Sequence, residues 1–303
     1  MAAVLDTDPP AAERWFRRHA GWVRVTHWIN ALCFVLLLMS GLQIFNAHPA
    51  LYIGERSDFA HPAIAIEARR AGQGIAGQTL IFGHAFDTTG LLGASRQGGE
   101  LTPRAFPSWA TIPSDQDLAT GRRWHFFFAW LLVINGLAYL VLGLASRHLG
   151  RALLPSGGAL THIGAEILDH LRLRFPRGEA AKRYNVLQQL AYLIVVFVLF
   201  PLMILTGLTM APGIDSAAPQ LLALFGGRQT ARLIHFVTAS GLVLFVAVHL
   251  AHGAALGALE QSALHDHRLV RSRRGAAYRR FPAMRLAKAV WHVTMEFRRT
   301  DVA

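Results

Sequence analysis

The stretch RLIHFVTASGLVLFVAVHLAHG, residues 232–253, is apolar over a length able to cross a bilayer, yet it holds histidines at 235, 249 and 252. Hydrocarbon offers an imidazole N–H no partner, so each ring needs one from the protein or a ligand. Three further stretches are long enough to span ~30 Å at 1.5 Å per residue. The four spans fall at about 28–45, 126–145, 187–209 and 233–258, and none contains Lys, Arg, Asp or Glu. Strand-period alternation is absent from them. The expected fold is therefore an all-α integral membrane protein, a four-helix bundle with a long loop between the first two helices.

Charge follows the loops. The net charge is +12, but the basic residues do not interleave with aromatics as on a nucleic-acid-binding surface. Residues before the first span, the 146–186 connection and the tail after 260 hold 21 of the 30 Lys and Arg. The other two connections hold nine, nearly balanced by eight carboxylates. This positive-inside bias places both termini in the cytoplasm and the 46–121 loop outside. The first apolar run is full length and is flanked by AAERWFRRHAGWVR, so it reads as an anchor rather than a cleavable signal. The basic runs RLRFPRGEAAKRYN and RLVRSRRGAAYRRF read as faces held against anionic lipid.

The reading divides the chain into a membrane domain over 1–260 and a basic cytoplasmic tail over 261–303. The 46–121 loop is too long to be idle and is rich in Gly, Pro and aromatics, which points to an ordered cap or a docking surface. Cys33, the single cysteine, lies in the first span and reads as packing. It leaves no internal disulfide, no Cys-ligated cluster and no c-type haem attachment.

Four histidines lie near span ends. His27 begins the first span on the inner side and His125 begins the second on the outer side; His235 and His249 lie near the outer and inner ends of the fourth. His235 and His249 are fourteen residues apart, almost four turns, so they share a face about 21 Å apart along the axis. Depth pairs His27 with His249 and His125 with His235. A lone intramembrane histidine is ordinarily satisfied by a neighbouring helix. Two depth-matched pairs instead suit bis-imidazole ligation of haem iron, whereas zinc would want three or four donors.

Arg24, Arg122 and Arg232 each precede a histidine by three residues, in RVTH, RRWH and RLIH. That spacing puts each guanidinium on the histidine's face, one turn nearer the surface, where it suits a haem propionate or an interfacial anchor. Ser40-Gly41, Asn135-Gly136, Thr206-Gly207 and Ser240-Gly241 place a small or polar residue before a glycine in every span. Close helix approach and room for a macrocycle both account for these steps.

This pattern resembles the prokaryotic cytochrome b561-type subunits, the cytochrome b subunits of nickel–iron hydrogenase, respiratory formate dehydrogenase and thiosulfate reductase. The segments FDTTG, LATGRRWHFFFAW and KRYNVLQQLAYL look most like the thiosulfate-reductase-like branch. The resemblance covers roughly 15–260. It implies two haem b groups, His27/His249 on the cytoplasmic side and His125/His235 on the periplasmic side, in a multi-pass protein of the bacterial inner membrane. It also implies a periplasmic, molybdopterin-type oxidoreductase partner and a quinone site near the inner haem at Asn185 and Gln188. Helix capping by Asn185 is the plainer alternative there. His252 suits proton exchange or an ordinary interfacial role. The long outer loop departs from the hydrogenase and formate dehydrogenase relatives, so their partner geometry does not carry over.

The function expected is electron transfer between that partner and quinone, by a subunit rather than an enzyme on its own. The alternatives are a stand-alone quinone oxidoreductase acting on a small species such as superoxide, and a haem-free anchor using histidines as a proton relay.

Overall fold

In the computed structural model the residues described are 14–17, 21–146, 164, 186–272 and 297–300. The chain divides into two units, Val25–Leu242 and, separately, Met1–Arg24 with Val243–Ala303. Both basic runs extend outside the described residues, and so does most of the connection between the second and third spans.

After strand β1 (Arg14–Arg17), the chain enters helix α1 (Gly21–Ala47). The loop that follows is a β structure. Strands β2 (Ala50–Leu51), β3 (Ile64–Ala71), β4 (Gly74–Ile81) and β5 (His84–Asp87) form an antiparallel meander in that order. Strands β6 (Ala94–Gln97) and β7 (Glu100–Pro103) make a separate hairpin, followed by a short 3-10 turn at Ser108–Ala110. Helix α2 (Leu118–Ala145) begins at Asp117, whose carboxylate accepts from the Thr120 N–H as an N-cap.

The third span consists of α3 (Val186–Ile194), a π-helical turn at Val195–Leu199 and α4 (Phe200–Leu208). Pro201 has no N–H to return to the preceding turn, and the wider ladder, with Phe200 N–H on the Val195 carbonyl, absorbs the mismatch. Short helices α5 (Pro212–Ala217) and α6 (Pro219–Leu224) lead to α7 (Arg228–Ser272), which runs past residue 260. Strand β8 (Phe297–Thr300) pairs antiparallel with β1.

Four helical stretches among the described residues are long and apolar enough to cross a membrane: Gly21–Ala47, Leu118–Ala145, Gln189–Leu208 and Arg228–Ala251. Their surfaces are inverted relative to a water-soluble bundle. Leu32, Val35, Phe127, Ile134, Val141 and Leu244 are exposed, while Ser40, Gln43, Asn135, Thr206, Thr209 and Thr238 are buried. Apolar residues outside and hydrogen-bonding residues inside is the arrangement lipid requires. Asn135 on α2 illustrates it by donating to the Thr26 carbonyl at 2.8 Å and the Asn30 side-chain oxygen at 2.6 Å, both on α1.

The loop is an ordered cap, as expected, but the all-α description of the spans does not extend to it. It is also tied to the helix ends. The Gly54 carbonyl accepts from the N–H groups of Gln229 and Thr230, and the Gly54 N–H donates to Thr230 Oγ1 at 2.7 Å. The donors left over at the start of α7 are thus satisfied by loop backbone. Phe45, Leu51, Ile66 and Ala105 form a shared core on which Leu233 and Phe236 of α7 pack, with Phe45 stacked on Phe236 at 5.1 Å.

Inside the cap, β4 crosses the start of β6 at backbone contact. A Cβ on Gly77 would strike the Leu92 carbonyl and lie 2.7 Å from Ala94 N; a Cβ on Gly93 would strike the Glu67 carbonyl. No rotamer relieves a clash with backbone. Gly77→Ala is therefore expected to cost the cap at least the roughly 1–3 kcal/mol of an overpacked core. Faster amide exchange across 64–103, with α-helical circular dichroism retained, is the expected result; unchanged exchange would show that the two layers do not meet this closely.

Candidate functional site

Helices α2 and α7 bring His125 and His235 together on the loop side, with ring centroids 6.3 Å apart and planes inclined by 62°. Both rings are partly buried and both are held in the same way. Ser40 Oγ on α1 lies 3.1 Å from His125 Nδ1, and Thr206 Oγ1 on α4 lies 3.0 Å from His235 Nδ1. Each hydroxyl spends its own hydrogen on a helix carbonyl one turn back, Leu36 or Leu202, at 2.6 Å. With that hydrogen committed, the hydroxyl can only accept from the ring, which fixes the Nδ1–H tautomer. In that tautomer each Nε2 carries the lone pair that could bind a metal.

The glycines complete the two cradles. A Cβ on Gly41 would sit 3.3 Å from His125 Cε1, and one on Gly207 would sit 3.4 Å from His235 Cε1. The polar-then-glycine step thus supplies an acceptor and then removes the atom that would push the ring away. Asn135-Gly136 acts otherwise, joining α2 to α1 as described above.

A metal–imidazole bond is ~2.0–2.1 Å, and with about 1 Å from each nitrogen to its ring centre, two rings sharing one iron sit about 6 Å apart. The 6.3 Å separation fits that arrangement. Among the described residues no group of three or more His, Cys, Asp or Glu side chains could hold a metal ion, so a metal bound between these rings would find two imidazoles as its donors. That set suits the axial positions of a haem and falls short of a closed zinc site.

The remaining candidates are less uniform. His27 is exposed on α1 and edge-on to Trp28 at 5.9 Å; His249 is partly buried on α7 and stacked on Phe245 at 5.9 Å. His27 and His249 belong to different units of the chain. Arg24 lies one turn before His27 on α1. Arg122 is exposed, with its guanidinium 5.7 Å from the centre of the Phe126 ring. Arg232, one turn before His235, donates to Gln229 Oε1 at 2.8 Å and to the His48 carbonyl at 3.3 Å. Asn185 lies outside the described residues; Gln188 is within α3, and like His252 its side chain is not described.

Three groups went unnoticed in the sequence. Gln43, one turn from Ser40 on α1, donates to the Asp115 carbonyl at 2.7 Å and accepts from Arg104 at 3.1 Å. Arg104 also donates to Thr111 Oγ1 at 2.6 Å. His48 lies against Tyr52, and burial followed by the charge of Arg232 holds its pKa below the ordinary histidine range. Gln43 had a readable signal, an amide inside an apolar span; Arg104 and His48 had none.

Residues 18–264 match the family model described as prokaryotic cytochrome b561. The chain belongs to that family. It is 30% identical over 233 residues to the putative protein-methionine-sulfoxide reductase subunit YedZ1 of Azospira oryzae, covering 77% of this chain and 88% of that protein. No solved structure matches. Cytochrome b561 membership carries haem b binding and electron transport, so the chain is a multi-pass membrane haem protein.

Removing a hydroxyl should loosen the ring it holds. Ser40→Ala and the near-isosteric Thr206→Val are expected to weaken haem binding by roughly 10–100-fold, the usual cost of losing a partner behind a metal-bound histidine. Haem titration of the apoprotein measures this, with Ser40→Thr expected to restore binding. Wild-type affinity in both variants would show that the hydroxyls only pack.

Proposed function

We propose that this cytochrome b561 is the di-haem membrane subunit of an oxidoreductase, passing electrons between a partner on the outer face and quinone at the inner face. The observation that carries the reading is the His125–His235 pair, two tautomer-fixed imidazoles spaced for one iron. Haem b supplies one-electron chemistry at its iron. The chain's part is to hold the ring, exclude water and set the distance between centres. His27 and His249 are assigned to a second haem on the cytoplasmic side by their depth in the sequence, and Arg24, Arg122 and Arg232 to propionates. Outward placement of the loop rests on the 21-to-nine split of basic residues between the two sides.

Two observations favour a protein partner over a stand-alone enzyme. The cap exposes large apolar side chains, among them Phe59 at 77%, Trp109 at 74% and Phe82 at 65%. Phe82 stands in a two-residue hairpin turn at φ 46, a left-handed position that Asn or Gly fills more cheaply by roughly 1–2 kcal/mol. An aromatic kept there at such a cost fits a contact surface. The relative's printed name also makes it a subunit of a methionine-sulfoxide reductase. We assign this chain a periplasmic partner of the same general kind, an oxidoreductase of molybdopterin type.

Haem stoichiometry tests the ligand assignment. Purified protein should hold two haems per chain by pyridine haemochrome. His125→Ala and His235→Ala should each remove the same one, and His27→Ala and His249→Ala the other. One haem in the wild type, or variants of one pair affecting different haems, would overturn the pairing.

The quinone reaction at the inner face is assigned to Asn185 and Gln188, three residues apart in the sequence near the start of the third span, where amides can hydrogen-bond quinone carbonyls. Asn185→Leu and Gln188→Leu should slow haem reoxidation by a soluble quinone analogue about tenfold, the effect of losing one such bond, while haem content stays constant. Stopped-flow reoxidation reads this out; unchanged rates with intact haems would move the quinone site elsewhere.

A further inference from the structure

The cap holds a buried guanidinium that, among the described residues, is hydrogen-bonded by neutral groups alone. Arg104 is 6% exposed, and its bonded partners are neutral: Gln43 Oε1 at 3.1 Å and Thr111 Oγ1 at 2.6 Å. Its Nε is buried with no hydrogen-bond partner among the described residues. Asp115, exposed, is the carboxylate within electrostatic reach, yet the two form no ion pair among the described residues. Burial pulls the guanidinium below the usual arginine range, and Asp115 offsets part of that. An isolated buried cation is among the costliest arrangements in a protein, and it persists where something anionic completes it.

Its position says what that anion is. Gln43 lies three residues beyond Ser40, whose hydroxyl holds His125. Gly121 lies one turn before His125 on α2, and a Cβ there would meet Gln43 Cγ at 2.9 Å. The Ile112 N–H donates to the Met39 carbonyl at 3.2 Å, so the segment bearing Thr111 reaches down to the level of Ser40. Arg104 is thus fastened about one helical turn, ~5 Å of rise, outward of the His125 anchor. The next residue, Ala105, belongs to the core on which Phe236 packs, beside His235. The strap is therefore tied to α1 near Ser40 and shares a core with α7 at Phe236, next in sequence to His235. Arg232 is the cation on the His235 side, and it too is bonded by neutral groups among the described residues, Gln229 and the His48 carbonyl.

We propose that Arg104 is the cap's counter-charge to a propionate of the haem held between His125 and His235. A haem b carries two carboxylates on one edge; at the loop-side end Arg122, Arg123 and Arg228 are exposed among the described residues, whereas Arg104 from the cap is buried and Arg232 from α7 partly buried. Arg104 is a binding and tuning residue supplied by the extramembrane loop, so whatever docks on the cap acts on the potential of this haem. The inference rests on the haem assignment above.

The experiment is a visible-spectroscopic redox titration of the full chain in nanodiscs, as wild type, His235→Ala, Arg104→Gln and Arg104→Lys. His235→Ala identifies the loop-side wave by its loss; if no wave is lost, the haem assignment itself has failed. Given that wave, Arg104→Gln should shift it to lower potential, because a cation beside the ring disfavours the oxidised iron. The other wave should stay in place, and Arg104→Lys should return the shifted wave most of the way. Both waves unmoved in Arg104→Gln at full haem content would overturn the proposal and leave Arg104 as cap structure. Should Arg104→Gln fail to accumulate, reconstitution of the wild-type apoprotein with haem b and with its dimethyl ester decides the matter. Esterification removes the propionate charge, so the loop-side site should bind the ester about tenfold more weakly, as for one charge-assisted bond, with Arg104→Lys keeping part of the preference. Equal binding of acid and ester would overturn it.

Discussion

Everything on the loop side depends on one hydrogen bond made twice: a ring N–H donating to a hydroxyl whose own hydrogen is committed to a helix carbonyl. In hydrocarbon an imidazole with an unsatisfied N–H costs several kcal/mol. The Ser40–Leu36 and Thr206–Leu202 bonds turn two flexible hydroxyls into fixed acceptors. The rings are thereby oriented before any cofactor is present, each with its Nδ1 turned to a hydroxyl. Helix packing follows from the same need, since Gly41 and Gly207 must be bare for the rings to reach those hydroxyls.

The cap solves a second problem of burial. Helices that end at a membrane surface leave backbone donors and acceptors open. Here the Gly54 carbonyl serves Gln229 and Thr230, Asp117 serves the start of α2, and the Gln43 amide bonds the Asp115 carbonyl. These bonds make the β structure part of the bundle rather than an appendage. They also seat Arg104 against Gln43 and Thr111, out of water.

Much of this could be read from the sequence, and the limits have physical causes. The four spans were legible because lipid demands long apolar runs, although α2 starts at 118 and α7 at 228, several residues before the apolar runs do. Their first turns are polar and are stabilised by caps that hydropathy does not register. The pairing of His125 with His235 followed from depth alone, since helices fix rise per residue. The cradles were visible only as polar–glycine steps, because nothing local says which ring a hydroxyl will meet. The β cap was missed: its strands are short and its hairpin turns, Gly72-Gln73 and Phe82-Gly83, lie outside any long alternation. The RxxH spacing drew attention to Arg122, which is exposed, whereas Arg104 has no pattern around it. Buried charge is a tertiary fact.

The two cradles also reveal a repeat that no fixed period could expose. Each half of the bundle is a helix bearing a hydroxyl and a glycine, followed by a helix bearing the ring. Ser40 and His125 are 85 residues apart, whereas Thr206 and His235 are 29 apart. The difference is close to the length of the β insertion, so the loop hides the equivalence of the two hairpins. Both halves use a neutral hydroxyl where many metal-bound histidines use a carboxylate. A carboxylate behind the ring would raise imidazole basicity and favour the oxidised iron, and in a membrane it would add a buried charge costing at least several kcal/mol. A hydroxyl satisfies the N–H without either effect. On the reading proposed here, the site stays neutral at its centre and its cations, Arg232 and Arg104, lie at the rim. Placing charge only at that edge lets the cap tune the site while leaving the ligands themselves unchanged.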